Sequence, residues 1–225
     1  MKRNSPIKGL MLYAFHSASG NIALLTVGCL LMGFFISAGL DRIVTAAGNT
    51  ILYLSFTGLL IMIISSSLLV SASKDTASKW NRFQLAMPVK RTDVIASKYL
   101  GHLLMLLIAI VVAGITIGIG IVLHENLRES VIENLHIVIS VGIVPSLIAC
   151  GLFYPAIYTI GENKEEALFI VCLGGSMGIM LFFRWIGNAI GISQNIITIL
   201  CAAVSVILFV ASYVAATKIY AKKDL

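Results

Sequence analysis

Six stretches of about twenty mostly apolar residues recur along the chain, at roughly 22–40, 50–71, 99–123, 137–160, 167–187 and 194–217. That recurrence leaves few architectures open. A helix rises about 1.5 Å per residue, so each stretch is long enough to cross a hydrocarbon core of ~30 Å. Within that core the backbone N–H and C=O groups must be satisfied inside the protein, which makes apolar spans of this length helical. The expected fold is all-α: an integral membrane protein with six transmembrane helices. Composition agrees, with 59% hydrophobic residues, 12% charged residues and a mean hydropathy of +0.99; soluble domains carry about 25% charge.

Orientation follows from the basic residues outside the spans. With the N-terminus in the cytoplasm, that side holds 13 of the 16 Lys and Arg residues, and the outer side keeps only Arg42, Arg128 and Arg184. Both termini are therefore expected inside. The net charge of +6 reads as a topology and anionic-lipid signal. The charges are scattered over membrane-adjacent turns, so nothing points to nucleic acid.

Residues 5–20 are too short and too polar to cross. Leu10, Tyr13 and Phe15 beside Lys8 and His16 suit a helix lying in the cytoplasmic interface. The fifth stretch is crowded at its end by Arg184, Gly187 and Asn188, and is expected to stop short and turn back on the outer side. Cys29, Cys150, Cys172 and Cys201 all fall in apolar spans and read as small buried hydrophobes, not as a metal site or disulfide framework. No cleavable signal, soluble domain or fixed-period repeat is visible, so residues 1–225 read as one membrane domain.

What the chain lacks narrows its chemistry. All ten acidic residues lie in links or at the tail, whereas ion-coupled carriers usually need an ionisable or tightly polar site near the bilayer midplane. The span interiors offer hydroxyls instead. Ser55, Ser66, Thr116, Ser140 and Thr159 are candidates for a mildly polar substrate path, although such hydroxyls more often satisfy helix backbone or bridge helices. Gly174-Gly175-Ser176-Met177-Gly178 satisfies G-x-S-x-G, but no histidine is placed to serve Ser176, and close helix packing explains these glycines better. Gly114 and Gly118 have the same packing spacing. Glu165-Glu166 lacks the arginine and histidines of an intramembrane glutamic protease. His124 and His136 flank a link carrying Glu125, Glu129 and Glu133, which reads as a solvated loop in preference to a metal site. Pro145 and Pro155, with Gly142 and Gly151, are expected to kink the fourth span. No G-x-x-x-x-G-K-[ST] phosphate loop is present, so any ATP-driven activity needs a separate subunit.

One sizeable link is both charged and amphipathic, at residues 74–93. A helix there puts Trp80, Phe83 and Met87 on one face at i, i+3 and i+7, and Pro88 ends it. On the residues alone, resting on lipid and docking a soluble partner are both open. The runs Leu85-Ala86-Met87-Pro88-Val89-Lys90-Arg91 and Ser97-Lys98-Tyr99-Leu100 resemble a signature of ABC-2-type transporter permeases. The six spans, cytoplasmic termini and N-terminal interfacial helix agree with that family too.

The resemblance implies a permease subunit of an exporter of amphipathic peptides, antimicrobials or lipophilic compounds. It would pair with a second permease subunit, a copy or a paralogue, and with separate cytoplasmic ABC ATPase subunits holding ATP and Mg. Residues 78–87 would be the coupling helix. Trp80, Phe83 and Met87 would be its buried anchors, Lys79 and Arg82 its rim contacts, and Pro88 its stop. Two short re-entrant outer helices are implied over residues 184–193. No catalysis and no cofactor are expected on the chain itself. An ion-coupled or passive carrier is the alternative, ahead of an intramembrane serine protease.

Overall fold

The computed structural model describes residues 6–39, 46–77, 89–124, 127–160 and 164–222. Among these residues there are seven helices and no strand: α1 (Pro6–Gly39), α2 (Ala46–Ala77), α3 (Arg91–Leu123), α4 (Leu127–Asn134), α5 (His136–Ile160), α6 (Glu165–Ile190) and α7 (Gln194–Ala221). Five of them, all but α1 and the short α4, are long and apolar enough to cross a membrane. α1 makes a sixth span when its two limbs are taken together.

Those limbs, Pro6–Gly20 and Ile22–Ser37, meet at 57°. The bend falls where Ser19 and Gly20 adjoin, and Ser19 Oγ turns back to His16 O at 2.8 Å. Gly/Ser pairs are a recognised cause of sharp kinks. The first limb lays Leu10 and Phe15 against the core and leaves Leu12 and Tyr13 exposed. This is the geometry that an interfacial helix leading into a span requires.

α2 and α5 form the centre: 67% and 78% of their apolar windows are buried, against 17% for α6. α1 packs on α2 and α3, while α6 and α7 pack on α5. The two halves meet closely where α2 crosses α5, because neither Gly58 nor Gly142 has a side chain. A Cβ on Gly142 would lie 2.7 Å from Gly58 O.

At that crossing α5 departs from α-helical geometry, with a π-helical segment at Ile139–Ile143 just before Pro145. A proline cannot donate to the preceding turn, so the widened register absorbs the missing bond. The expected disturbance of the fourth span is thus a π turn on the N-terminal side of Pro145.

The end of the fifth span differs from expectation. α6 runs unbroken through Arg184 and Gly187 to Ile190, about 39 Å at 1.5 Å per residue, and residues 184–193 hold no pair of re-entrant helices. The helix stops at Gly191, whose φ of 77° is left-handed, with Ile192 N–H donating to Gly187 O at 2.9 Å. A glycine in that conformation ends a helix cheaply. Apolar length outweighed the three polar or small residues that suggested a break.

Gly187 itself sits directly against Ile197 of α7, where a Cβ would overlap. The short extra helix on that side of the bundle is α4, which buries Leu127 and Val131.

Candidate functional site

The six residues of the expected coupling set, Lys79, Trp80, Arg82, Phe83, Met87 and Pro88, lie outside the described residues. The site is built from where their segment re-enters the bundle. Arg91, the first residue of α3, donates from Nη1 to Ala221 O at 2.7 Å and Tyr220 O at 3.5 Å, at the C-terminal end of α7. A cation suits a helix C-terminus, where carbonyls lack intrahelical partners.

Two turns further along α3, Lys98 Nζ stands 5.7 Å over the Tyr158 ring, and Tyr158 packs on Tyr220 at 5.1 Å. Tyr99 is buried among Tyr154, Phe209 and Tyr213, with ring centroids at 5.0, 5.1 and 5.4 Å. Ser212 Oγ donates to Gly151 O at 2.5 Å, so the 2.6 Å bond between Tyr99 and Ser212 has the tyrosine hydroxyl as donor. One segment of α3 therefore ties the end of the 74–93 link to both α5 and α7.

One turn deeper, a buried polar chain crosses three helices. Ser65 Oγ donates to Met62 O at 3.1 Å, Ser146 Oγ lies 2.7 Å from Ser65 Oγ, and His102 Nε2 lies 3.2 Å from Ser146 Oγ. Which way the protons run along this chain depends on the His102 tautomer. Nothing in the sequence spacing of Ser146 and His102 announces this Ser–His pair. All three residues are at most 2% exposed, which closes the pair to a peptide substrate. The chain clamps α2, α3 and α5.

Ser176, the centre of G-x-S-x-G, is fully buried and bonds Leu173 O at 2.8 Å. A side chain at Gly174, Gly175, Gly178, Gly114 or Gly118 would meet nothing within 4 Å. Within this subunit those glycines serve no close helix contact, contrary to their spacing.

The five hydroxyls expected along a substrate path are not brought together. Ser55 bonds Ile51 O (2.8 Å), Ser66 bonds Ile63 O (2.9 Å), Thr116 bonds Val112 O (3.0 Å), Ser140 bonds Ile137 O (3.0 Å) and Thr159 bonds Ala156 O (3.0 Å). Each satisfies its own helix. Thr116 is wedged against Gly33, and Thr159 faces outward.

The notable spaces lie elsewhere. A cavity of about 240 Å³ opens between α6 and α7, and a second of about 250 Å³ between α5 and α7; none of the five hydroxyls lines either. At the end of the bundle away from Arg91, His124 Nε2 meets Ser37 O at 2.9 Å, tying α3 to α1. Among the described residues, no three His, Cys, Asp or Glu side chains converge as metal ligands.

An all-helical, multi-pass membrane bundle is thus joined to one amphipathic link through a short clamp on α3. The chain belongs to a transporter family: it matches the ABC-2 family transporter proteins over residues 12–221, nearly its whole length. It is the membrane component of such a transporter, and the family implies association with an ABC ATPase. The chain matches no curated protein and no solved structure.

Proposed function

We propose that this protein is the permease subunit of an ATP-driven exporter that moves amphipathic peptides or lipophilic compounds out of a bacterial cell. ATP and Mg are bound by a separate cytoplasmic ATPase, and residues 78–87 form the coupling helix that docks it. Trp80, Phe83 and Met87 are the buried anchors, with Lys79 and Arg82 at the rim. A second permease subunit, identical or paralogous, completes the membrane unit. The 13-to-3 distribution of basic residues supports cytoplasmic termini.

The observation that carries this reading is the clamp at the start of α3. Arg91 is three residues beyond Pro88 and bonds directly to the last carbonyls of α7. A displacement of the link therefore enters α3 and α7 together, and then α5 through Tyr99, Ser212 and Gly151. Apolar spaces between the helices, and acidic residues confined in the sequence to the links and the tail, favour amphipathic or lipophilic cargo over small ions.

The test is affinity purification of the chain in mild detergent, wild type against Trp80→Ala with Phe83→Ala. The wild type is expected to retain a soluble ATPase and the double variant to lose it. Burying two aromatic anchors is worth several kcal/mol at an interface hot spot, enough for more than about a hundredfold loss of binding. Failure of the wild type to retain any ATPase, or undiminished binding by the variant, overturns the reading.

A further inference from the structure

Arg184 is the most unusual side chain in the bundle. It lies six residues inside the end of α6, about 9 Å along the helix axis, within a membrane span. An intramembrane cation is costly and normally paired. Here one guanidinium N–H, from Nη1, donates to the neutral Ser140 Oγ at 2.9 Å. Among the described residues no carboxylate lies within ion-pair distance, and no other acceptor takes the remaining N–H groups. A guanidinium has five N–H donors in a fork that matches an anionic oxygen pair, so most of its capacity is open.

The apolar cavity between α6 and α7 runs alongside. Met180 and Gly187, four residues before Arg184 and three after, both line it, and so does Val144, one turn from Ser140 on α5. Arg184 does not itself line the cavity; it lies on α6 between two residues that do, with its guanidinium turned to Ser140. Inward, the cavity adjoins the α5–α7 trough, with Ile148 and Leu208 lining both. Together they reach the size of a ligand pocket, about 300–1,000 Å³, in a shape elongated along the helices. No charged residue lines either one.

We propose that this groove is a binding site for an anionic phospholipid, with the headgroup phosphate on Arg184 and an acyl chain between α6 and α7. Charge complementarity identifies the occupant. A zwitterionic lipid offers the same chain but also a cation that competes for the phosphate, and a hydrocarbon without a head leaves the guanidinium unanswered. The site goes beyond the export function and does not depend on the coupling helix.

The experiment uses the full chain in phosphatidylcholine vesicles carrying a trace of photoactivatable phosphatidylglycerol or of its chain-matched phosphatidylcholine. After irradiation, labelled peptides are mapped. The anionic probe is expected to label residues 179–208 about fivefold more than the zwitterionic one, the ratio that a cation–lipid attraction of about 1 kcal/mol sets. Arg184→Gln should remove the preference and Arg184→Lys should retain most of it. Val204→Trp, which fills the cavity, should lower labelling by both probes with Arg184 intact. Equal labelling of the wild type by the two probes overturns the proposal, as does unchanged labelling in Arg184→Gln. Displacement by excess glycerol phosphate overturns it too, since a head without a chain would then suffice.

Discussion

Close approaches in this bundle separate glycines that matter from glycines that do not. A methyl group at Gly120 would fall on the Tyr53 hydroxyl, which donates to Thr116 O at 2.5 Å, whereas one at Gly118 meets open space. Gly120→Ala is expected to lower stability by about 1–3 kcal/mol through overpacking, and Gly118→Ala to leave it unchanged or slightly raised. Thermal unfolding in detergent distinguishes the two. A second contrast concerns the aromatic hub. Tyr99→Phe removes one hydroxyl while Ser212 keeps its bond to Gly151 O, so the loss should be about 1 kcal/mol. Ser212→Ala leaves both the Tyr99 hydroxyl and the Gly151 carbonyl without it and should cost more, about 1–3 kcal/mol. Denaturant titrations of the two variants give the ordering. None of these distinctions follows from spacing, since Gly114 and Gly118 carry the packing signature and Gly120 does not.

Among the helices, α3 and α7 form the informative pair. An arginine in the first turn of a helix opposes that helix's own dipole, which marks Arg91 as serving another helix. That electrostatic mismatch is a signal the sequence carries. Arg91→Gln should fray the end of α7, raising amide hydrogen exchange over residues 216–222 by about tenfold. It should also weaken coupling between ATP hydrolysis and export while the ATPase stays bound. Exchange unchanged from wild type would show that α7 holds its end without the clamp. Spans were legible because twenty-residue apolar runs admit little else. The π turn at Ile139–Ile143 was not, because a register shift depends on how α2 meets α5 through Gly58 and Gly142. The His102 chain is illegible for the same reason: its partners Ser146 and Ser65 are 44 and 37 residues away in sequence and meet only once three helices are packed.

For the molecule as a whole, orientation is the claim most open to direct measurement. Single cysteines introduced at Arg128 and Lys164 in a background without the four native thiols should behave oppositely in intact cells. Arg128→Cys should react with a membrane-impermeant maleimide and Lys164→Cys should react only after permeabilisation; the reverse pattern inverts the topology. The unequal burial of the helices bears on how such a subunit can deform. Moving α5 means breaking the Gly58–Gly142 approach, the Ser65–Ser146 bond and the Ser212–Gly151 bond at once. Tilting α6, with only 17% of its apolar window covered, forfeits far less contact. Mechanically, the subunit is a stiff post carrying a compliant panel, and the panel is the part free to swing.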